Sequence, residues 1–148
     1  RTRHSEAHLA LVHGDVAGAS ECLVRVHEPL SVLELLDARL AHHSWPLDRA
    51  MRTIAASEAG VVVLLNCAQS SDALIEQLTA LGNEDAAERA AGRRSKMDLR
   101  TYGIGAQILK DLGIERMRLL SQPRKMPSMT GFGLEIVSFE SSAQEPQE

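Results

Sequence analysis

The sequence predicts an α/β (α+β) fold, a mixed sheet with covering helices. Three observations carry that expectation. Segments with strand alternation and segments with helical periodicity intermix along the whole 148 residues. The run Val61-Val62-Val63-Leu64-Leu65 is continuously apolar and β-branched at first, as in a strand buried on both faces. The stretch from Asp98 to Gly113 reads as a capped amphipathic helix and feeds Arg116-Met117-Arg118-Leu119-Leu120-Ser121, which alternates like a strand.

Taken in order, His8 to His13 reads as the first strand and Gly14 to Gly18 as a turn. Cys22 to His27 alternates with period two and gives the second strand. From Ser31, an N-cap, the residues Val32, Leu33, Leu35, Leu36 and Leu40 form a helical stripe. Trp45-Pro46-Leu47-Asp48 opens another helix, with Pro46 near its first turn, buried through Leu47, Met51 and Ile54 and stopped by Gly60. Beyond the Val61 strand, Ser71 and Asp72 cap a helix carrying Leu74, Ile75, Leu78 and Leu81, which Gly82-Asn83 breaks. The polar, alanine-rich stretch from Glu84 to Lys96 is a mobile loop or a short exposed helix, its basic cluster a solvated face or, as the rarer alternative, a phosphate contact.

In the next helix Asp98 is the N-cap, Ile104, Ile108, Leu109 and Leu112 the apolar stripe, and Gly113 the stop. Gln122 to Lys125 is a turn, Gly131 to Val137 the final strand, and the tail from Ser141 is polar and frayed. One domain is expected over residues 1–140, followed by the tail at 141–148. The opening Arg1 to Ala7 has no initiator methionine and reads as a cut inside a longer protein.

Composition excludes several function classes. The formal net charge is −4, so there is no broad electrostatic attraction for nucleic acid. Aromatic residues are 3%, too few for a base-stacking surface. No apolar run approaches membrane-spanning length, and no signal-peptide pattern is present. Cys22 and Cys67 fit no disulfide framework, which points to a reduced, cytoplasmic setting.

Read as one word, DLRTYGIGAQILKDLGIERMRLL closely resembles the C-terminal signature of GTP cyclohydrolase II, the riboflavin-pathway enzyme. HLALVHGDVAG followed by LVRVH resembles the start of the same domain, and Gly131-Phe132-Gly133-Leu134-Glu135-Ile136-Val137 resembles its closing motif. The resemblance runs from His8 to Phe139. It implies a domain of the kind found behind a 3,4-dihydroxy-2-butanone 4-phosphate synthase domain, a homodimer, and a reaction that opens the imidazole ring of GTP with loss of formate and pyrophosphate. It also implies a zinc ion held by three cysteines, which activates water.

This chain departs from that pattern where the chemistry resides. Carried over without a gap, the three ligand positions are Leu30, Ala41 and His43. Leu30 and Ala41 have no ligand atom, and His42 beside His43 points away from it. The family's guanine-reading Gln is Pro46, its Glu-Gly-Arg turn is Ala68-Gln69-Ser70, and a Thr in the following connection is Ala86. The family zinc is therefore expected to be absent.

Other positions survive. Asp98 and Arg100 stand where the resemblance places the proton acceptor and the arginine proposed to attack the α-phosphate, so they are the vestigial catalytic pair. Each also has a plainer reading, Asp98 as a helix cap and Arg100 as a first-turn surface residue. Arg25, Ser121 and Lys125 are the candidate phosphate contacts, through charge-assisted bonds.

The reading that follows is a degenerate domain with a structural or regulatory role beside an upstream synthase domain in the same chain, binding nucleotide weakly if at all. Its rivals are an active cyclohydrolase with a rebuilt metal site and a nucleotide-binding module without turnover.

Overall fold

In the computed structural model, residues 7–27, 45–65, 71–72, 75, 79, 99–123 and 125–142 are described. The elements are β1 (Leu9–His13), β2 (Cys22–His27), α1 (Leu47–Ala55), β3 (Gly60–Leu64), α2 (Leu99–Asp111), β4 (Arg116–Leu120), α3 (Pro127–Gly131) and β5 (Glu135–Glu140). They build a five-stranded sheet in the order β1-β3-β2-β4-β5. Strand β1 runs antiparallel to β3, while β2 is parallel to both β3 and β4, and β4 is parallel to β5. The sheet is mixed, as the sequence predicts.

The three central strands explain why the sequence there is so apolar. Every residue of β2 and of β3 is buried, because parallel strands are covered by crossover helices on both faces. On one face Val24, Val26, Val61, Val63, Met117 and Leu119 meet Ala106 and Leu109 of α2 and Met129 of α3. Ile104, Ile108 and Leu112 pack against the same cluster, so the predicted stripe faces the sheet. A Cβ added at Gly105 would lie 3.5 Å from Val26 Cγ1, so α2 rides close over the sheet. On the opposite face Leu23, Val62, Leu64 and Leu120 meet Trp45, Leu47, Ala50 and Ile54 of α1 and its lead-in.

Helix α2 stops at Gly113, which takes a φ of 81°. The Gly113 amide donates to Lys110 O and the Ile114 amide to Leu109 O, capping carbonyls the helix cannot satisfy itself. The same pair of bonds closes α3, from Gly133 to Thr130 O and from Leu134 to Met129 O.

The two sheet edges differ. On β5 a register shift sits opposite Met117/Arg118, and Arg116 pairs with Glu135 at 3.1 Å and Arg118 with Glu140 at 3.2 Å. A bulge and charges of this kind blunt an edge against further pairing. Strand β1 is exposed along its whole length and carries Leu9, Leu11 and Val12 in the open.

Several expectations are corrected. Residues 131–134 are not strand: Pro127–Gly131 is a helix, Phe132 and Gly133 a turn, and the final strand begins at Glu135. The Gly pair supplies the turn that the bare apolar pattern disguises. Met51 is 44% exposed, and Ala50 takes the buried place expected of it, because α1 turns Leu47, Ala50 and Ile54 to the sheet. Gly60 opens β3 rather than ending a helix. Strand β2 alternates in polarity but not in burial, since α1 covers its second face.

Of the helix predicted from Ser71, the described residues Ser71, Asp72, Ile75 and Thr79 are helical. The helix predicted from Ser31 and the stretch from Glu84 to Lys96 lie outside the described residues, as does the tail beyond Ser142. Among the described residues no helix is long and apolar enough to cross a membrane.

Candidate functional site

Because β2, β3, β4 and β5 are parallel, their carboxyl ends share one edge of the sheet. From β2 the next strand in sequence lies on one side, β3; from β4 it lies on the other, β5. Connections that diverge in this way open a crevice between two strand ends, the usual ligand position in open α/β sheets. Here the diverging strand ends carry Arg25 and His27 on β2 and Leu120 and Ser121 at the end of β4, all four buried.

Arg25 sits opposite Val62 in the ladder, on the face covered by α1, and is only 6% exposed. Its Nη1 donates to Leu120 O at 2.9 Å and its Nη2 to Trp45 O at 3.1 Å. Nη2 also lies 3.4 Å from His27 Nδ1. A charged donor buried this deeply is stable only with good acceptors, and the backbone supplies them. His27 is fully buried, and its carbonyl accepts from the Leu65 amide.

Trp45 completes the arrangement. Its indole Nε1 donates to Glu140 O at 2.6 Å, as a buried indole N–H requires. The Arg49 guanidinium lies 5.8 Å from the ring centroid, within cation–π range. Pro46 caps α1 in an extended conformation, and its carbonyl accepts from the Ala50 amide at 3.0 Å. The helix start therefore fixes Trp45 over the strand ends.

The predicted site residues are divided by the fold. Arg25 and Ser121 come together, because Arg25 holds the carbonyl of the residue before Ser121. Ser121 is buried, its amide donating to Glu140 O at 3.2 Å and its hydroxyl to Gln122 O at 3.0 Å. Lys125 is exposed. Arg100 lies in α2, which covers the face of the sheet opposite Arg25, and its side chain lies outside the described residues. Asp98 lies outside them entirely, as do Leu30, Ala41, His43, Ala68, Gln69, Ser70 and Ala86.

The residues that the resemblance places at the three zinc-ligand positions, Leu30, Ala41 and His43, do not fit a zinc ion. Leucine and alanine side chains have no lone pair to give, and one imidazole is not a site. Among the described residues no group of three or more His, Cys, Asp and Glu is placed to hold a metal.

Sequence reasoning missed the role of Trp45 and of the Glu140 carbonyl. The one signal was the chain's single tryptophan standing directly before Pro46. Backbone acceptors carry no side-chain signature at all.

The family model for GTP cyclohydrolase II matches residues 1–141. A 3,4-dihydroxy-2-butanone 4-phosphate synthase of Neisseria meningitidis serogroup B is 43% identical over 135 residues, covering 91% of this chain and 35% of the relative. A riboflavin biosynthesis protein RibBA of Chlorobium phaeovibrioides is 38% identical, covering 88% of this chain and 33% of the relative. The chain thus spans about a third of the length of the curated relatives it matches. Among solved structures, RibBX, a two-domain 3,4-dihydroxy-2-butanone 4-phosphate synthase from A. baumannii, superposes with a TM-score of 0.48 at 21% identity, over 95% of this chain and 33% of that one.

Proposed function

The chain belongs to the GTP cyclohydrolase II family, and on that premise we propose that it is a degenerate member without cyclohydrolase turnover, with a structural or regulatory role beside a 3,4-dihydroxy-2-butanone 4-phosphate synthase domain in riboflavin biosynthesis. One observation carries the reading. Two of the three positions that hold the family's zinc are Leu30 and Ala41, which offer a metal nothing.

Hydrolysis at a ring carbon near neutral pH needs a strong nucleophile. In the roles the resemblance implies, Asp98 would move a proton and Arg100 would meet a phosphate, and neither supplies the hydroxide that a metal provides. Arg25, for its part, is engaged by the backbone carbonyls of Leu120 and Trp45. The core supports the other half of the reading, because among the described residues an apolar cluster covers each face of the sheet. The names of the relatives give the association with the synthase its support.

The test measures formate release from GTP by the purified chain, with metal content determined on the same sample. No formate above the buffer blank is expected, and well under one zinc per chain. Formate release at the rate of an ordinary family member overturns the proposal.

The same reading has the domain pairing with a second copy in a cytoplasmic setting. Light scattering across a wide concentration range is expected to give the dimer mass, and a strictly monomeric mass counts against the scaffold role.

A further inference from the structure

We infer that the open edge of β1 is a docking surface for a second copy of this chain, the two β1 strands pairing antiparallel across a two-fold axis. The inference rests on the dimer reading given above and deepens it, by naming the surface through which the copies meet.

The two edges of the sheet are not equivalent. On β5 a register shift and the Arg116–Glu135 and Arg118–Glu140 pairs stand against further pairing. Strand β1 meets β3 in unbroken register, and Leu9-Ala10-Leu11-Val12-His13 contains no proline and no Asp, Glu, Lys or Arg. Among the described residues β3 is its one strand neighbour. One open edge and one blunted edge give a closed pair, where two open edges would give a filament.

The open edge is apolar on both faces. Leu9 stands opposite Leu64 in the ladder and Leu11 opposite Val62, which places both leucines on the face that α1 covers. Val12 stands opposite Val61, on the α2 face. Leu9 is 50% exposed, Leu11 42% and Val12 48%. Helix α1 extends the patch. Its Arg49 leans on Trp45, whose indole bonds Glu140 O on β5, so that flank looks toward β5. Met51 lies about 200° round the helix from Arg49, on the flank toward β1, and it too is exposed.

This patch is self-complementary. A two-fold axis through Ala10, perpendicular to the sheet, sets Ala10 opposite its own copy and Leu9 of each chain opposite Leu11 of the other. The four leucines make one apolar cluster on the α1 face, with a Met51 on either side. On the α2 face Val12 of each chain meets His8 of the other. The sheets join into one of ten strands, five from each copy. No Asp, Glu, Lys or Arg side chain of β1 enters the seam, so two chains of net charge −4 meet where like charges do not oppose each other. An acidic or basic partner finds no counter-charge on this strand; an uncharged apolar strand fits it, and the chain itself supplies one. A single short strand and one methionine fall below the about 800 Å² that each partner gives a stable interface. The dimer is therefore reversible, and its population rises with concentration.

Sedimentation equilibrium on the full chain is expected to show that monomer–dimer exchange. Leu9→Lys with Leu11→Lys, and separately Leu9→Glu with Leu11→Glu, set like charges opposite each other across the seam. Each double variant is expected to dimerise at least about tenfold more weakly, with an unchanged far-UV circular dichroism spectrum. An equimolar mixture of the two is expected to recover the dimer, because opposite charges then face each other. Hydrogen exchange on wild type needs no variant: the β1 amides are expected to exchange more slowly as concentration rises.

A dimer that both double variants leave intact overturns the inference while the dimer reading stands. So do β1 amides that exchange at one rate whatever the dimer population, and so does a mixture that stays monomeric. A strictly monomeric wild type overturns the inference and the dimer reading together, and gives the edge to a different strand.

Discussion

Replacing Arg25 by methionine separates a guanidinium that holds the fold from one kept only for a ligand. Arg25→Met retains the apolar stem and removes the bonds to Leu120 O at 2.9 Å and Trp45 O at 3.1 Å. Buried hydrogen bonds to a charged group are worth about 1.5–3 kcal/mol each, so two give about 3–6 kcal/mol. Methionine also relieves the burial of a charge that is 6% exposed, which returns part of that sum. The expected net loss is about 2–4 kcal/mol. For a domain of this size that lowers Tm by about 5–12 °C.

Urea unfolding followed by far-UV circular dichroism measures the change, with the slope unchanged and the midpoint lowered. Arg25→Lys is the control. It keeps the charge but cannot span two carbonyls on separate segments, and most of the loss is expected to remain. If both variants unfold within about 0.5 kcal/mol of wild type, the usual range for surface substitutions, the structural role assigned to Arg25 is wrong.

Three further outcomes are expected. Leu30→Cys, Ala41→Cys and His43→Cys together give a protein that gains zinc but releases formate from GTP at a trace rate or not at all, since positioning carries about 7–11 kcal/mol of a barrier and Pro46 and Ala68-Gln69-Ser70 cannot supply it; family-level turnover by the triple variant refutes this. Gly60→Ala costs about 1–3 kcal/mol in urea unfolding, because its Cβ would meet Leu23 O at 2.7 Å and Ile54 Cγ2 at 2.8 Å; a neutral result would show that β2 and α1 yield there. Burial, and then the Asp15 carboxylate, raise the Cys22 thiol above its ordinary 9.0, so the unfolded chain loses this proton first and stability falls as pH rises through about 9. Cys22→Ala flattens that part of the pH profile, and an unchanged slope speaks against it.

Much of the fold was legible because the burial is repetitive. The valine run of β3, the stripe of α2 and its Gly113 stop each state their structure in a few residues. Where the reading erred, local pattern was outvoted by a neighbour. Arg25 and His27 look like the solvent side of β2, yet α1 covers them. Phe132 and Leu134 resemble the start of a strand, yet they pack from a helix and its turn against the core. Arg25 and Ser121 were legible in the sequence as polar candidates, and the fold brings them to one strand edge. Trp45 was not, because its importance comes from a carbonyl given and an indole bond made across 95 positions of chain. No composition or spacing encodes such a contact.

The strand order also dictates a sequence of events in time. Strand β1 is made first, but its partner is β3, and β2 lies on the far side of that partner. A β1–β2 hairpin, the cheap local solution, is therefore not part of the native state. His13 must wait for Ser57, 44 positions later, whose carbonyl it meets at 3.0 Å. Closing so long a loop costs entropy before any contact rewards it. Once docked, β1 has one neighbour among the described elements and buries none of its five residues. It is expected to be the last strand to dock and the first to open, its amides exchanging with solvent while the parallel four-stranded remainder stays closed.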